Sequence, residues 1–125
     1  MSKAQCCCGK LRLEIDGDPT INVVCHCANC QRRTGSAFGW SMYFEETSVH
    51  ASGNKSEYLP GNGQKRYFCS GCGSTLFWLS PDFKGLIGVA AGSLVGEQRP
   101  PPLASYSENS RCDWVNIPTD WAHHD

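Results

Sequence analysis

The chain has 125 residues, a formal net charge of −1 and nine cysteines. That length accommodates one domain with a modest hydrophobic core and excludes two independent ones, and the balance of charge disfavours a protein that binds by neutralising phosphates. Nine cysteines in so short a chain require either a disulfide framework or bound metal.

The chain starts with Met1 to Gln5 and runs into Cys6 with no apolar stretch that could serve as a signal peptide, and no segment approaches the ~18 apolar residues of a membrane span. A cytoplasmic, reducing setting is therefore expected, where clustered cysteines are metal ligands sooner than disulfides. Leu11 to Ile15 alternates apolar and polar residues, the pattern of a strand with one buried face. Asp16-Gly17-Asp18-Pro19 is a turn, and the β-branched run Ile21 to Val24 predicts a second strand leading into Cys25. Further strands are expected over Ala37 to Phe44, around Arg66 to Cys69, over Thr75 to Leu79 and over Leu86 to Ala91. No apolar period of 3.6 is sustained over a helix length, so the expected fold is mainly β with long connections and little helix. Ser105 to Arg111 reads as a loop or extended crossing, and the tail from Trp121 to Asp125, with His123 and His124, as a mobile end.

The cysteines fall into three groups: Cys6-Cys7-Cys8, Cys25-His26-Cys27-Ala28-Asn29-Cys30 and Cys69-Ser70-Gly71-Cys72. In extended backbone residues i and i+2 share a face. Cys6 and Cys8 then grip one ion while Cys7 becomes a buried bystander, and Cys25 and Cys27 point together while His26 turns aside. Cys69 and Cys72 form a knuckle that needs two more ligands, because a structural zinc is four-coordinate. Cys6 and Cys8 supply that number. Cys25, Cys27 and Cys30 remain as three thiolates with an open fourth position, the arrangement of catalytic zinc sites. Two Zn²⁺ per chain are thus expected, which brings the net charge to about −4 once seven coordinating thiols are counted as ionised. Cys112 stands alone in a polar stretch and reads as a bystander, although it is the one cysteine that could close the second site. A competing partition pairs Cys27 and Cys30 with Cys69 and Cys72 as a zinc ribbon, and a disulfide framework is the alternative to metal.

At these residues the chain resembles a known family. Cys6-x-Cys8-Gly9, Cys25-His26-Cys27-x-x-Cys30-Gln31-Arg32-x-Thr34-Gly35-Ser36, Arg66-x-Phe68-Cys69-x-x-Cys72-Gly73-Ser74-x-Leu76-Phe77 and Ala91-Gly92-Ser93-Leu94 resemble the glutathione-dependent formaldehyde-activating enzyme and centromere protein V family, over residues 6–118. The resemblance implies a Mss4-like zinc-bound β fold, with one domain filling 1–125. It implies a structural zinc on Cys6, Cys8, Cys69 and Cys72 and a catalytic zinc on Cys25, Cys27 and Cys30. The activity implied is a carbon–sulfur lyase running in reverse, joining glutathione to formaldehyde or a related small aldehyde as S-hydroxymethylglutathione. Ser105-Tyr106 stands where family members commonly carry His-Ile, and Val95 where an acidic residue follows Gly-Ser-Leu.

Glutathione is anionic, which makes Arg32, Arg33 and Arg66 candidates for its carboxylates. Phe38 and Trp40 are candidates to wall its pocket, and Thr34 and Ser36 read as turn hydrogen-bonders. No general acid or base stands out. The second reading, from a different class, is a non-catalytic zinc scaffold that binds a protein partner; neither reading calls for nucleic acid or a membrane.

Overall fold

The structure is a computed structural model that describes residues 2–96 and 99–125. Twelve strands run β1 (Ser2–Gln5), β2 (Arg12–Ile15), β3 (Ile21–Cys25), β4 (Gly39–Glu45), β5 (Val49–Ser52), β6 (Lys55–Tyr58), β7 (Lys65–Cys69), β8 (Thr75–Leu79), β9 (Leu86–Ala90), β10 (Leu94–Val95), β11 (Ala104–Tyr106) and β12 (Ala122–His123). Among the described residues one short α-helix, α1 (Ala28–Thr34), follows β3, and three single 3-10 turns lie at Glu46–Ser48, Ala91–Ser93 and Glu108–Ser110. The mainly β expectation holds. Among the described residues no helix is long and apolar enough to cross a membrane.

The strands form a four-stranded sheet in the order β10-β1-β2-β5 and an eight-stranded sheet in the order β12-β11-β3-β4-β9-β8-β7-β6. Neighbours are antiparallel except at one edge of the larger sheet, where β11 lies parallel to both β3 and β12. The alternation read in β2 is realised: Leu13 and Ile15 are buried and Arg12 and Glu14 are exposed. Those side chains join Ala4, Leu11 and Leu94 of the small sheet and its flanks with Met42, Phe44, Ile87 and Val89 of the large one in a single core cluster. Met42 faces Val89 and Phe44 faces Ile87 in register, so β4 and β9 build the centre of that core. Their intervening residues, Tyr43 and Gly88, are also opposite one another and belong to the other face of the sheet.

Three expectations need correction. Cys6 to Gly9 is a turn closed by the Gly9 N–H bonding to the Cys6 carbonyl at 3.0 Å, and Cys7 is exposed. The extended geometry that would have buried Cys7 gives way to a turn that aims it outward. The stretch read as a loop or extended crossing after the prolines begins as a paired strand, β11, which takes its hydrogen bonds from β3, some eighty residues earlier. The tail is anchored: β12 pairs with β11, the His124 N–H donates to the Ser105 carbonyl at 2.9 Å, and the His123 Nδ1 lies 2.8 Å from a Glu108 carboxylate oxygen. The Tyr106 and His124 rings stack 4.4 Å apart on top of this pairing.

Candidate metal centres

The turn between β1 and β2 brings Cys6 and Cys8 to Cys69, at the end of β7, and to Cys72 in the turn that follows it. The Cys6 and Cys8 sulfurs are 3.6 Å apart, and so are those of Cys8 and Cys69. Sulfurs about 2.3 Å from a tetrahedral zinc stand about 3.8 Å from one another, so this donor set fits the ion in chemistry and in size. Cys6 and Cys69 are buried in the core, while Cys8 and Cys72 face solvent. The Leu11 N–H donates to the Cys6 sulfur at 3.3 Å and the Gly71 N–H to that of Cys69 at 3.4 Å. Against the effect of burial, the Leu11 donor helps to lower the Cys6 pKa below the usual thiol value.

The second group forms where β3 passes into α1. Cys25 ends the strand, and Cys27, still extended at φ −64° and ψ 158°, caps the helix by accepting the Cys30 N–H at 3.4 Å. Extended backbone through Cys27 places the Cys25 and Cys27 sulfurs together, as the spacing predicts, and the first helical turn adds Cys30. His26 points away into the protein. It is fully buried, its Nε2 is 2.9 Å from the Ser105 hydroxyl, and burial lowers its pKa. Ser105, one of the two departures from the family pattern, therefore occupies the position facing His26. Ser107, the one non-glycine residue with positive φ among the described residues, holds its hydroxyl 3.9 Å from the Cys25 sulfur.

Within each group the thiols share protons. Cys25 is lowered to about 5, chiefly by hydrogen bonding from Cys30 with help from Cys27 and Ser107, and Cys30 is pushed up by the same contact and by burial. In the other group Cys72 is lowered to about 5, first by the Ser74 hydroxyl and then by backbone donors. Cys8 is raised to about 11: the Lys10 N–H favours its thiolate, but partial desolvation and the neighbouring thiols of Cys6, Cys69 and Cys72 outweigh it. A sulfur cluster in this state keeps some of its protons until a cation takes their place, which is the linkage expected of a metal site.

None of the nine cysteines is in a disulfide. The two groups are Cys6, Cys8, Cys69 and Cys72, and Cys25, Cys27 and Cys30; Cys112 joins neither. Cys27 and Cys30 are not grouped with Cys69 and Cys72, so the ribbon partition is not realised.

A family model described as glutathione-dependent formaldehyde-activating enzyme matches residues 1–109. The chain belongs to the glutathione-dependent formaldehyde-activating enzyme family. Its fold is similar to the crystal structure of a Rhodobacter sphaeroides protein, a structural-genomics target, with a TM-score of 0.64 and 22% identity over 77% of this chain and 90% of that one. No curated protein matches the sequence. In this member of the glutathione-dependent formaldehyde-activating enzyme family the three-cysteine group borders a small pocket through Cys30, and a larger cleft, walled in part by Cys6 and Cys7, meets that pocket at Arg33. A cleft of about 720 Å³ includes Arg33, Thr34, Phe38, Trp40 and Val95 in its walls, which puts both aromatic wall candidates and the second departure from the family pattern in one place. A pocket of about 50 Å³ contains Cys30, Arg33, Tyr43, Arg66 and Trp78. Arg33 borders both.

Of the three arginines, Arg32 is exposed and lines neither cavity. Arg33 lies one turn after Cys30 on the same helical face, and its guanidinium stacks on the Trp78 ring at 4.4 Å. Arg66 donates to the Asn29 side-chain oxygen at 2.8 Å and so ties β7 to the start of α1. Thr34 closes the helix through the Cys30 carbonyl at 2.8 Å, as its turn role predicts. Tyr43 and Trp78 were not singled out in the sequence. Their only signal is strand alternation, which puts Tyr43 opposite the core-facing Met42 and Phe44.

Proposed function

We propose that the protein is a cytoplasmic zinc-dependent enzyme of the carbon–sulfur lyase type, joining the sulfur of glutathione to formaldehyde or a related small aldehyde. Membership of the family supports the reaction class. The observation that carries the reading is the difference between the two sulfur groups: four sulfurs in one and three in the other. Cys6, Cys8, Cys69 and Cys72 would hold a structural zinc, and Cys25, Cys27 and Cys30 a second zinc with one position for an exogenous ligand. Zinc at the second site supplies the means to keep a thiol ionised at neutral pH, where a free thiol is only a few per cent thiolate.

The chain's own residues set the geometry. The β3–α1 junction fixes the three sulfurs, and the Ser107 hydroxyl oxygen accepts from the Cys25 thiol at 3.9 Å. Phe38, in the wall of the larger cleft, packs edge-on against His26 with ring centroids 5.7 Å apart. The 720 Å³ cleft has the volume of a small peptide such as glutathione, within the ~300–1,000 Å³ usual for ligand sites; Cys6 and Cys7 lie in its wall, and it adjoins the pocket of Cys30 through Arg33. Three anionic sulfurs weaken a zinc ion as a Lewis acid, so positioning of thiol against aldehyde carries much of the rate.

The test is titration of cobalt-substituted protein with glutathione. Entry of a thiol at the three-cysteine site changes the visible spectrum, and formation of S-hydroxymethylglutathione then exceeds the spontaneous rate. An unchanged spectrum at millimolar glutathione and full occupancy would refute the open site. A spectral change with no rate gain would leave a thiol-binding module and refute the enzyme.

A further inference from the structure

The outer face of the large sheet carries a row of residues in register across four strands: Tyr43 on β4, Gly88 on β9, Trp78 on β8 and Arg66 on β7. Gly88 is the gap in that row. A Cβ there would stand 2.5 Å from Trp78 Cε2 and 2.7 Å from Cδ1. Its absence lets the indole lie across β9 and donate its N–H to the Tyr43 oxygen at 3.1 Å. The Tyr43 hydroxyl thus accepts one hydrogen bond, and its own proton has no acceptor among the described residues.

Above this row, α1 lowers Cys30 and Arg33 onto the sheet. Gly39, opposite Cys25 in register, leaves room for them: a Cβ there would stand 2.7 Å from Arg33 Nη2 and 3.3 Å from Cys30 Cβ. Arg33 Nη2 is out of solvent and has no hydrogen-bond partner among the described residues, and no carboxylate pairs with the guanidinium. Burial works against the Arg33 charge and the Cys30 sulfur favours it, yet Nη2 keeps a buried donor with no oxygen to receive it, which is costly unless one comes to it. The idle Arg33 donor and the free Tyr43 proton both border the 50 Å³ pocket that contains Cys30. A space of that size takes one very small molecule.

Resting on the proposed reaction, we propose that this pocket is the aldehyde subsite, with Arg33 Nη2 holding the carbonyl oxygen and the Tyr43 hydroxyl protonating it as the carbon–sulfur bond forms. The thiol sheds its proton to solvent on ionising. Its sulfur electron pair then forms the bond to the carbonyl carbon, and the π pair moves onto oxygen. The oxygen takes the Tyr43 proton, and water entering behind the product restores it, so thiol and aldehyde give the hydroxymethyl thioether with nothing left over. Burial raises the Tyr43 pKa above the usual phenol value, which keeps the proton in place until an alkoxide develops. The small volume, about 50 Å³, favours formaldehyde over longer or aromatic aldehydes.

The experiment has two arms. In the zinc-loaded protein, formate serves as a one-carbon oxygen probe, followed through the Trp78 indole N–H resonance. A saturable shift that weakens at least about tenfold in Arg33→Lys is expected; no shift, or an equal shift in Arg33→Lys, overturns the subsite. In the kinetic arm, Tyr43→Phe is expected to lower kcat by about 10²-fold or more while two zincs and the cobalt response to glutathione are retained. Arg33→Lys is expected to lower kcat/KM for formaldehyde by a similar factor. Wild-type rates in both variants overturn the role given to these residues. A wild-type protein that binds formate through Arg33 but accelerates no addition sinks the proposed reaction and leaves the pocket standing.

Discussion

The sulfurs of Cys8 and Cys69, separated by 61 positions in the chain, lie 3.6 Å apart and join the small sheet to the large one. Cys6 and Cys69 are only 3% and 1% exposed and belong to the core cluster. Loss of this cross-link removes both a metal and a core contact. Cys69→Ser is therefore expected to leave the protein largely unfolded, whereas Cys27→Ser, at a centre drawn from one local segment, stays folded with one zinc instead of two. Metal analysis and far-UV circular dichroism on both variants decide this. One zinc per wild-type chain, with Cys6 and Cys8 open to alkylation, would rule out the two-site assignment.

Cys7 and Cys112 belong to neither sulfur group. Serine at either position is expected to preserve both zincs. Because Cys7 is exposed, Cys7→Ser is also expected to change stability by no more than about 0.5 kcal/mol, as other surface substitutions do. Zinc content and urea unfolding test the pair; a missing zinc in Cys112→Ser would mean that the second site is closed.

Gly88→Ala forces the Trp78 ring off its seat and breaks the indole bond to Tyr43. Overpacking of this kind costs about 1–3 kcal/mol. The expected result is a lower unfolding midpoint together with an altered Trp78 environment in near-UV circular dichroism. A variant as stable as wild type, with unchanged aromatic signals, would count against the close packing of that row.

The His123–Glu108 pair holds the tail to the loop after β11. The His123 pKa is raised from 6.5, chiefly by the hydrogen bond to Glu108, so its contribution is complete below 6.5 and fades as pH climbs through the raised value. The Glu108 pKa is lowered from 4.5, chiefly by His123, so its contribution is complete above 4.5 and is lost as pH falls through the lowered value. Tail docking is thus strongest between about pH 4.5 and 6.5. Amide exchange at His124, whose N–H bonds to the Ser105 carbonyl, is expected to be slowest there after correction for intrinsic rates, and the pH dependence is expected to vanish in His123→Ala. The pair is solvent-exposed, so salt weakens the effect.

Much of this arrangement was legible residue by residue. β2, β3, β8 and β9 carry their own alternation or β-branched content, and the grouping of the thiols follows from counting ligands. β1 was not legible, since Ser-Lys-Ala-Gln becomes a strand through pairing with β2 and β10 rather than by preference. α1 buries no apolar residue and exists through its Cys27 cap and the Thr34 bond to Cys30. β11 and β12 depend on a partner far back in the chain, which no local pattern announces. The Tyr43–Trp78 pair escaped for a related reason: only the register of β4, β9 and β8 places Gly88 between them.

The contrast between a local and a long-range sulfur group also sets an order of assembly during synthesis. Cys25, Cys27 and Cys30 emerge within six consecutive residues, whereas Cys6 and Cys8 must wait until Cys69 and Cys72 have been added. At about 5–20 residues per second the interval is a matter of seconds. During it the nascent chain exposes a complete three-thiolate cluster beside an unfinished pair. Ions delivered to the ribosome-bound chain therefore meet the three-cysteine centre first, before β11 has docked along β3 to shield it.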